Sequence, residues 1–213
     1  MIYPTRSRTT HSTGRAISKP LIENLSVAAV CARRSIRALD GCLFGKQMET
    51  SSLKLDELRQ RILAAFPKND PPLPENITSH PCEECYGIRD DFRGVRWWAA
   101  DDELIDENFD DLPLFTPEAY HYYLPAFLLR ALDTFDPDNL VVQFCVYNLS
   151  PTKTPVDDPW YRARLNQFTS EQISVIAKFL VYIQEDEKFY DYYADVERGL
   201  RKFWRVAKDE NAI

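Results

Sequence analysis

Glycine is nearly missing from this chain: six residues in 213, against 14 prolines. Glycine accepts positive φ at no steric cost, so folds built on tight glycine-rich corners use it freely. Nucleotide and dinucleotide cradles and tightly turned β-barrels are therefore poor fits. The chain is 45% hydrophobic and 28% charged, ordinary proportions for a domain that buries a sizeable core. No run of about 18 uncharged apolar residues occurs, so no membrane span is expected. With three histidines, general-base catalysis is short of its usual residue.

Charge divides the chain. Residues 1–47 carry eight Lys and Arg against two acids, a net +6, whereas the remainder carries 18 against 31, a net −13. The first part is rich in Ser, Thr and Arg and has no sustained helical stripe. Glu23 precedes its one apolar stretch, Leu25 to Ala32, and spoils it as a secretory core. Its basic residues make no clear amphipathic helix of the mitochondrial-leader kind, and Val30 is too bulky for lipoprotein processing at Cys31. Residues 1–47 are expected to be a disordered basic arm or an over-called start, with translation beginning at Met48. Residues 48–213 are expected to form a single acidic helical domain.

Within that domain the apolar period is helical. Leu55, Leu58, Ile62, Ala65 and Phe66 recur at three- and four-residue spacing until Pro67. After a proline-rich loop, His80-Pro81 reads as the opening of a second helix that Gly94 ends. Thr116-Pro117-Glu118 combines a capping threonine, proline at the first helical position and an acid at the positive end of the dipole. A third helix then runs through Tyr120, Tyr123, Phe127 and Leu128, kinked at Pro125. Leu140 to Leu149 reads as helix, with a short strand near 140–149 as the alternative. Asp158-Pro159-Trp160 starts a short helix, and Thr169-Ser170-Glu171-Gln172 matches a capping box ahead of Ile173, Ile176, Phe179, Leu180 and Ile183. A last helix over about 186–208 should bury Phe189, Tyr193, Val196, Leu200, Phe203 and Ala207. The fold class is mainly α, an irregular helical bundle of about six helices.

Five runs carry a resemblance: His80-Pro81-Cys82-Glu83-Glu84-Cys85; Asp91-Phe92-Arg93-Gly94 with Trp97 or Trp98; Leu112 to Tyr120; Tyr122 to Phe127; and Phe168 to Gln172. Together they resemble a family of uncharacterised bacterial proteins known only as a domain of unknown function. The resemblance covers roughly residues 80 to 183, with Leu112–Leu129 its most specific part. It implies a small soluble bacterial protein whose basic N-terminus lies outside the shared region. It brings no activity and no catalytic residue.

The sharpest chemical signal is His80-x-Cys82-x-x-Cys85. Thiolates and imidazole at this spacing are ligands for zinc, and a cysteine at a helix N-terminus has a lowered pKa suited to redox work. A structural zinc wants four ligands, so Cys145 or His121 would have to complete the set from afar. The sequence favours packing over both, because Cys82, Cys85, Ile88 and Phe92 fall on one helical face. On that assignment Cys82 and Cys85 are reduced, buried and metal-free.

Other signals are weaker. Gly41 to Lys46 is one residue short of a phosphate loop, Gln47 stands where Ser or Thr would hold magnesium, and no strand precedes it. His121 has only Glu118 at helical spacing, which reads as a surface pair. The acid pairs Asp90-Asp91, Asp101-Asp102, Asp110-Asp111 and Asp157-Asp158 read as solvation and helix capping. Of the aromatic clusters, Trp97, Trp98 and Trp160 each adjoin a loop or helix start and are the candidate interaction anchors.

No catalytic residue is assigned, no cofactor is expected, and zinc at His80, Cys82 and Cys85 is the exception to that. The acidic core disfavours nucleic acid and anionic membranes and suits a basic protein partner. The sequence favours a non-enzymatic interaction module, adaptor or immunity-type, in the cytoplasm. The alternative is a metal- or thiol-dependent enzyme using His80, Cys82 and Cys85.

Overall fold

Pro117–Thr134 is the longest helix among the described residues, and ten of its 18 residues are buried, from Ala119 to Leu132. A helix apolar around most of its circumference must lie inside a shell of other elements. The structure, a computed structural model, describes residues 53–152 and 158–204. The basic N-terminal region, the start at Met48 and Ala207 lie outside the described residues. Described here are eight α-helices: α1 (residues 53–65), α2 (Glu83–Asp91), α3 (Asp102–Glu107), α4 (Pro117–Thr134), α5 (Leu140–Leu149), α6 (Pro159–Leu165), α7 (Ser170–Glu185) and α8 (Tyr193–Lys202). Short 3-10 turns at Pro74–Asn76, Trp97–Ala99 and Glu187–Tyr192 complete the set. The fold is mainly α, as the apolar periodicity demands.

Helices α3, α5, α6 and the Trp97 turn pack directly on α4, and α7 and α8 pack on each other with α8 also against α5. Helix α1 is tied to both ends of this arrangement. Arg59 reaches the Leu132 carbonyl at 3.3 Å and Asp133, and the Ala65 carbonyl accepts Gln172 Nε2–H at 3.2 Å. Helix α4 runs through Pro125, whose missing N–H leaves the carbonyl of His121 without its usual partner one turn on. It ends at Phe135, held at φ 35°, a left-handed cap that glycine more often supplies. Phe135 is fixed there by ring contacts with Tyr182 and Phe189, each at 4.8 Å.

The caps are where the residues say they should be. Thr116 accepts Ala119 N–H at 3.1 Å, and Asp158 accepts the Trp160 and Tyr161 N–H groups. Thr169 and Gln172 form the reciprocal capping box of α7. Residues 140–149 are helical, capped by Asn139, so the strand alternative is set aside.

Two expected boundaries move. Helix α2 begins at Glu83 instead of His80-Pro81, because extended Cys82 (φ −128°) caps it with its own sulfur. The last helix does not run unbroken from 186. Phe189 is buried at a non-helical φ/ψ of −98° and 20°, a kink inside the 3-10 turn that precedes α8. The break shifts the buried face: Tyr192 is inside, while Tyr193 is 49% exposed.

Helix α8 closes the C-terminus of α5, where carbonyls lack intrahelical partners. Trp204 Nε1–H donates to the Leu149 carbonyl at 2.7 Å, and Arg198 donates twice to the Ser150 carbonyl. This approach requires Gly199, since a Cβ there would lie 2.9 Å from the Leu149 oxygen and closer still to Ser150 Oγ. Gly87, exposed in the middle of α2, would meet nothing within 4 Å. The two positions predict opposite outcomes. Gly87→Ala should raise stability by about 0.5–1 kcal/mol through helix propensity. Gly199→Ala should lower it by about 1–3 kcal/mol through overpacking. Urea denaturation of both variants checks this, and equal shifts would remove the close α5–α8 approach.

Candidate functional site

The chain between Asn76 and His80 is pinned from two sides. Thr116 N–H donates to the Ile77 carbonyl at 2.9 Å, Thr116 Oγ1 donates to the Asn76 carbonyl, and Thr78 bridges to Phe115. On the other side, fully buried Thr78 donates its hydroxyl to the Cys85 carbonyl at 3.1 Å. Arg89, four residues beyond Cys85 on α2, donates Nε–H to Thr78 Oγ1 at 2.8 Å and a terminal N–H to the Thr78 carbonyl at 2.7 Å. The far end of α2 is tied to α4 by Tyr123, whose hydroxyl donates to the Phe92 carbonyl at 2.9 Å. Gly94, at φ 70°, then turns the chain away.

This framework places His80 against the first turn of α2. The sulfurs of Cys82 and Cys85 and a ring nitrogen of His80 lie within 4.8 Å of one another. Their exposure is graded: His80 is exposed, Cys82 half-buried and Cys85 fully buried. Cys82 Sγ accepts the Cys85 N–H at 3.4 Å, the capping role usually filled by an oxygen. Hydrogen bonding to His80, then to that N–H, holds the Cys82 thiol below its usual pKa. Burial pushes the Cys85 thiol up, and its hydrogen bond to Cys82 adds to the rise. The two cysteines therefore differ, and the single packed face expected of Cys82, Cys85, Ile88 and Phe92 holds only for the last three.

The proposed completing ligands are elsewhere. Cys145 is fully buried on α5, where desolvation alone raises its pKa. His121 Nε2 pairs with Gln172 Oε1 at 3.0 Å, not with Glu118, in a network that also holds the α7 capping box and α1. Among the described residues, no other His, Cys, Asp or Glu joins the cluster.

The three tryptophan anchors separate. Trp97 is only 2% exposed, with its Nε1–H on the Pro67 carbonyl at 3.1 Å and its ring edge-on to Phe66; it is core, which corrects its assignment as an anchor. Trp98 is half-buried beneath Lys68 and Arg96. Trp160 is 41% exposed, with the Arg164 guanidinium 5.4 Å from its ring centre.

Of the acid pairs, Asp101 caps α3 and Asp102 pairs with Arg130, while Asp90 pairs with Arg93. Asp157 lies outside the described residues. Asp111 departs from the surface role. Burial, followed by repulsion from Asp110, Glu84 and Asp91, pushes its carboxyl up to about 7. An acid whose folded pKa exceeds its unfolded value binds an extra proton when folded, so its ionisation costs stability as pH rises from about 4 to 7. Asp111→Asn should therefore raise Tm by a few degrees at pH 8 and leave it nearly unchanged at pH 3.5. Thermal melts at both pH values check this, and an equal effect at each would contradict it.

Thr78 and Arg89, which orient the site, went unnamed in the sequence. The one signal available was the four-residue step from Cys85 to Arg89, which sets both on one side of a helix. No helix among the described residues is long and apolar enough to cross a membrane. No curated protein and no solved structure matches the chain. The family of unknown function DUF6714 matches residues 75–208, which takes in the whole of this site and extends the resemblance past residue 183 to the last helix. With more than half of its length matched, the chain belongs to DUF6714.

Proposed function

We propose that this domain performs thiol–disulfide exchange, with Cys82 as the attacking sulfur and Cys85 as the resolving one. The observation that carries the reading is the pairing of a half-buried Cys82 at the N-cap of α2 with a fully buried Cys85 on its first turn, their sulfurs within 4.8 Å. The Cys82 thiolate attacks one sulfur of a partner's disulfide, and the second sulfur leaves as thiolate. The Cys85 thiol then loses its proton and attacks Cys82 Sγ, expelling the partner's remaining thiolate. The Cys82–Cys85 disulfide forms, and the partner has gained two electrons. His80 and the Cys85 N–H, both directed at the Cys82 sulfur, favour its anionic form. A free dithiol persists in a reducing compartment, so the cytoplasmic location expected from sequence accompanies this reading.

The interaction-module reading is kept on a separate observation. Tyr190 is 80% exposed and Tyr193 49% exposed, beside Glu187 and Asp191, a surface of the acidic and aromatic kind that suits a basic protein partner. Trp160 remains the one exposed tryptophan candidate.

Exposure to oxidised glutathione in EDTA distinguishes the roles of the sulfurs. Peptide mass mapping should show the loss of two hydrogens across the Cys82 and Cys85 positions, with the bond between them. Cys85→Ser should stop at a stable glutathione adduct on Cys82, and Cys82→Ser should leave Cys85 largely unmodified while folded. An adduct at both positions, or none at Cys82, would contradict the assignment.

A further inference from the structure

We infer that His80, Cys82 and Cys85 form a three-ligand zinc site in the reduced protein, with one coordination position left open, and that the bound ion holds the dithiol out of exchange. The inference deepens the thiol–disulfide reading, and rests on it only for the second half.

Donor chemistry comes first. Two thiolates and an imidazole are ligands that bind Zn²⁺ strongly, whereas magnesium and calcium require oxygen. Spacing follows. With Zn–S bonds of about 2.3 Å, two sulfurs on a tetrahedral ion lie about 3.8 Å apart. The three donor atoms already lie within 4.8 Å of one another, so side-chain rotations of a fraction of an ångström to an ångström suffice.

The backbone holds these donors from two directions. Cys82 is the N-cap of α2 and Cys85 lies on its first turn. His80 comes from the preceding segment, and that segment is tied to α2 through Thr78 on one side of it and Cys82 on the other. Thr78 bonds the Cys85 carbonyl, and Arg89 bonds Thr78 twice and the His80 carbonyl at 3.5 Å. The backbone at His80 and at Cys85 is therefore held by the same pair, Thr78 and Arg89.

Exposure sets the direction of access. Cys85 is closed off by the core and His80 is exposed, so the fourth position opens on the His80 side, where no fourth protein donor stands among the described residues. Water fills it, or a partner's donor. Binding displaces the thiol protons: two thiols and Zn²⁺ give the dithiolate complex and two H⁺. Oxidation reverses it. The zinc dithiolate, oxidised glutathione and two H⁺ give the Cys82–Cys85 disulfide, Zn²⁺ and two molecules of glutathione. A sulfur whose lone pairs are committed to zinc is a poorer nucleophile, so the ion and the exchange reaction compete.

The test uses the full chain, stripped with EDTA, reduced and returned to metal-free buffer. Zn²⁺ alone is titrated in competition with a chromophoric chelator, and Co²⁺ is added separately as an optical probe of sulfur ligation. One equivalent of zinc should bind, and the cobalt form should show thiolate charge-transfer and tetrahedral ligand-field bands. Cys82→Ser and Cys85→Ser should each weaken zinc binding at least 100-fold. His80→Ala should weaken it about tenfold while keeping the thiolate band; as an exposed position it also covers the event that Cys85→Ser fails to fold. Oxidised glutathione should release the zinc, and one equivalent of zinc should slow disulfide formation at least tenfold. Uptake below one equivalent, or uptake unchanged in the three variants, overturns the site. Disulfide formation in EDTA together with absent zinc uptake overturns this inference and spares the exchange reading. Zinc uptake without any disulfide in EDTA overturns the exchange reading and the competition, and spares the metal site.

Discussion

Helix α4 is the constraint from which the arrangement follows. Its buried residues, among them Tyr120, Tyr123, Leu124, Phe127, Leu128 and Leu132, lie on several sides of the helix and leave it almost no face for water. Fully burying one such side chain stabilises by roughly 1.5–3 kcal/mol. The helix is therefore strongly favoured at the centre of the fold and disfavoured anywhere else. A buried helix also needs both ends satisfied. Thr116 caps the N-terminus, and the left-handed turn at Phe135 closes the other end, with the Phe135 N–H on the Ala131 carbonyl.

That demand at the N-terminus builds the site. The same Thr116 that caps α4 also donates its own N–H and hydroxyl to the segment at Asn76 and Ile77. Thr78, next along, is thereby held against Phe115 with its hydroxyl free to reach the first turn of α2. Tyr123, nearly two turns into α4, holds the end of α2 through Phe92. Helix α2 has only nine residues, too short to be stable alone, and it is supported at both ends by residues of the central helix. The placement of Cys82, Cys85 and His80 is thus a consequence of packing around α4. A loose loop would carry the same three residue types without holding them together.

Much of this was legible in the sequence, and the exceptions have identifiable physical causes. Helical period, Thr116-Pro117, Asp158-Pro159 and the Thr169–Gln172 box report on local chemistry, and each stands where that chemistry puts it. Long-range effects were invisible. Tertiary packing turned Phe189 inward and broke the last helix, moving the buried face from Tyr193 to Tyr192. Trp97 looked like a surface anchor because it adjoins a loop, yet its indole closes that loop from inside through the Pro67 carbonyl. The asymmetry of the thiols was hidden for a similar reason. A helical wheel puts Cys82 and Cys85 on one face, but Cys82 is the cap and not part of the helix. The clasp made by Thr78 and Arg89 depends on a contact between separate segments, which no periodicity encodes.

The central claim is that the fold, through Thr78 and Arg89, holds two chemically unlike sulfurs ready to join. Equilibration across a series of reduced and oxidised glutathione ratios, in EDTA, measures this as the effective concentration of one thiol at the other. The account predicts a single two-electron transition for the Cys82–Cys85 bond, and an effective concentration several-fold lower in Arg89→Ala that still folds. A midpoint unmoved by Arg89→Ala, or mixed glutathione adducts in place of the internal disulfide, would contradict it.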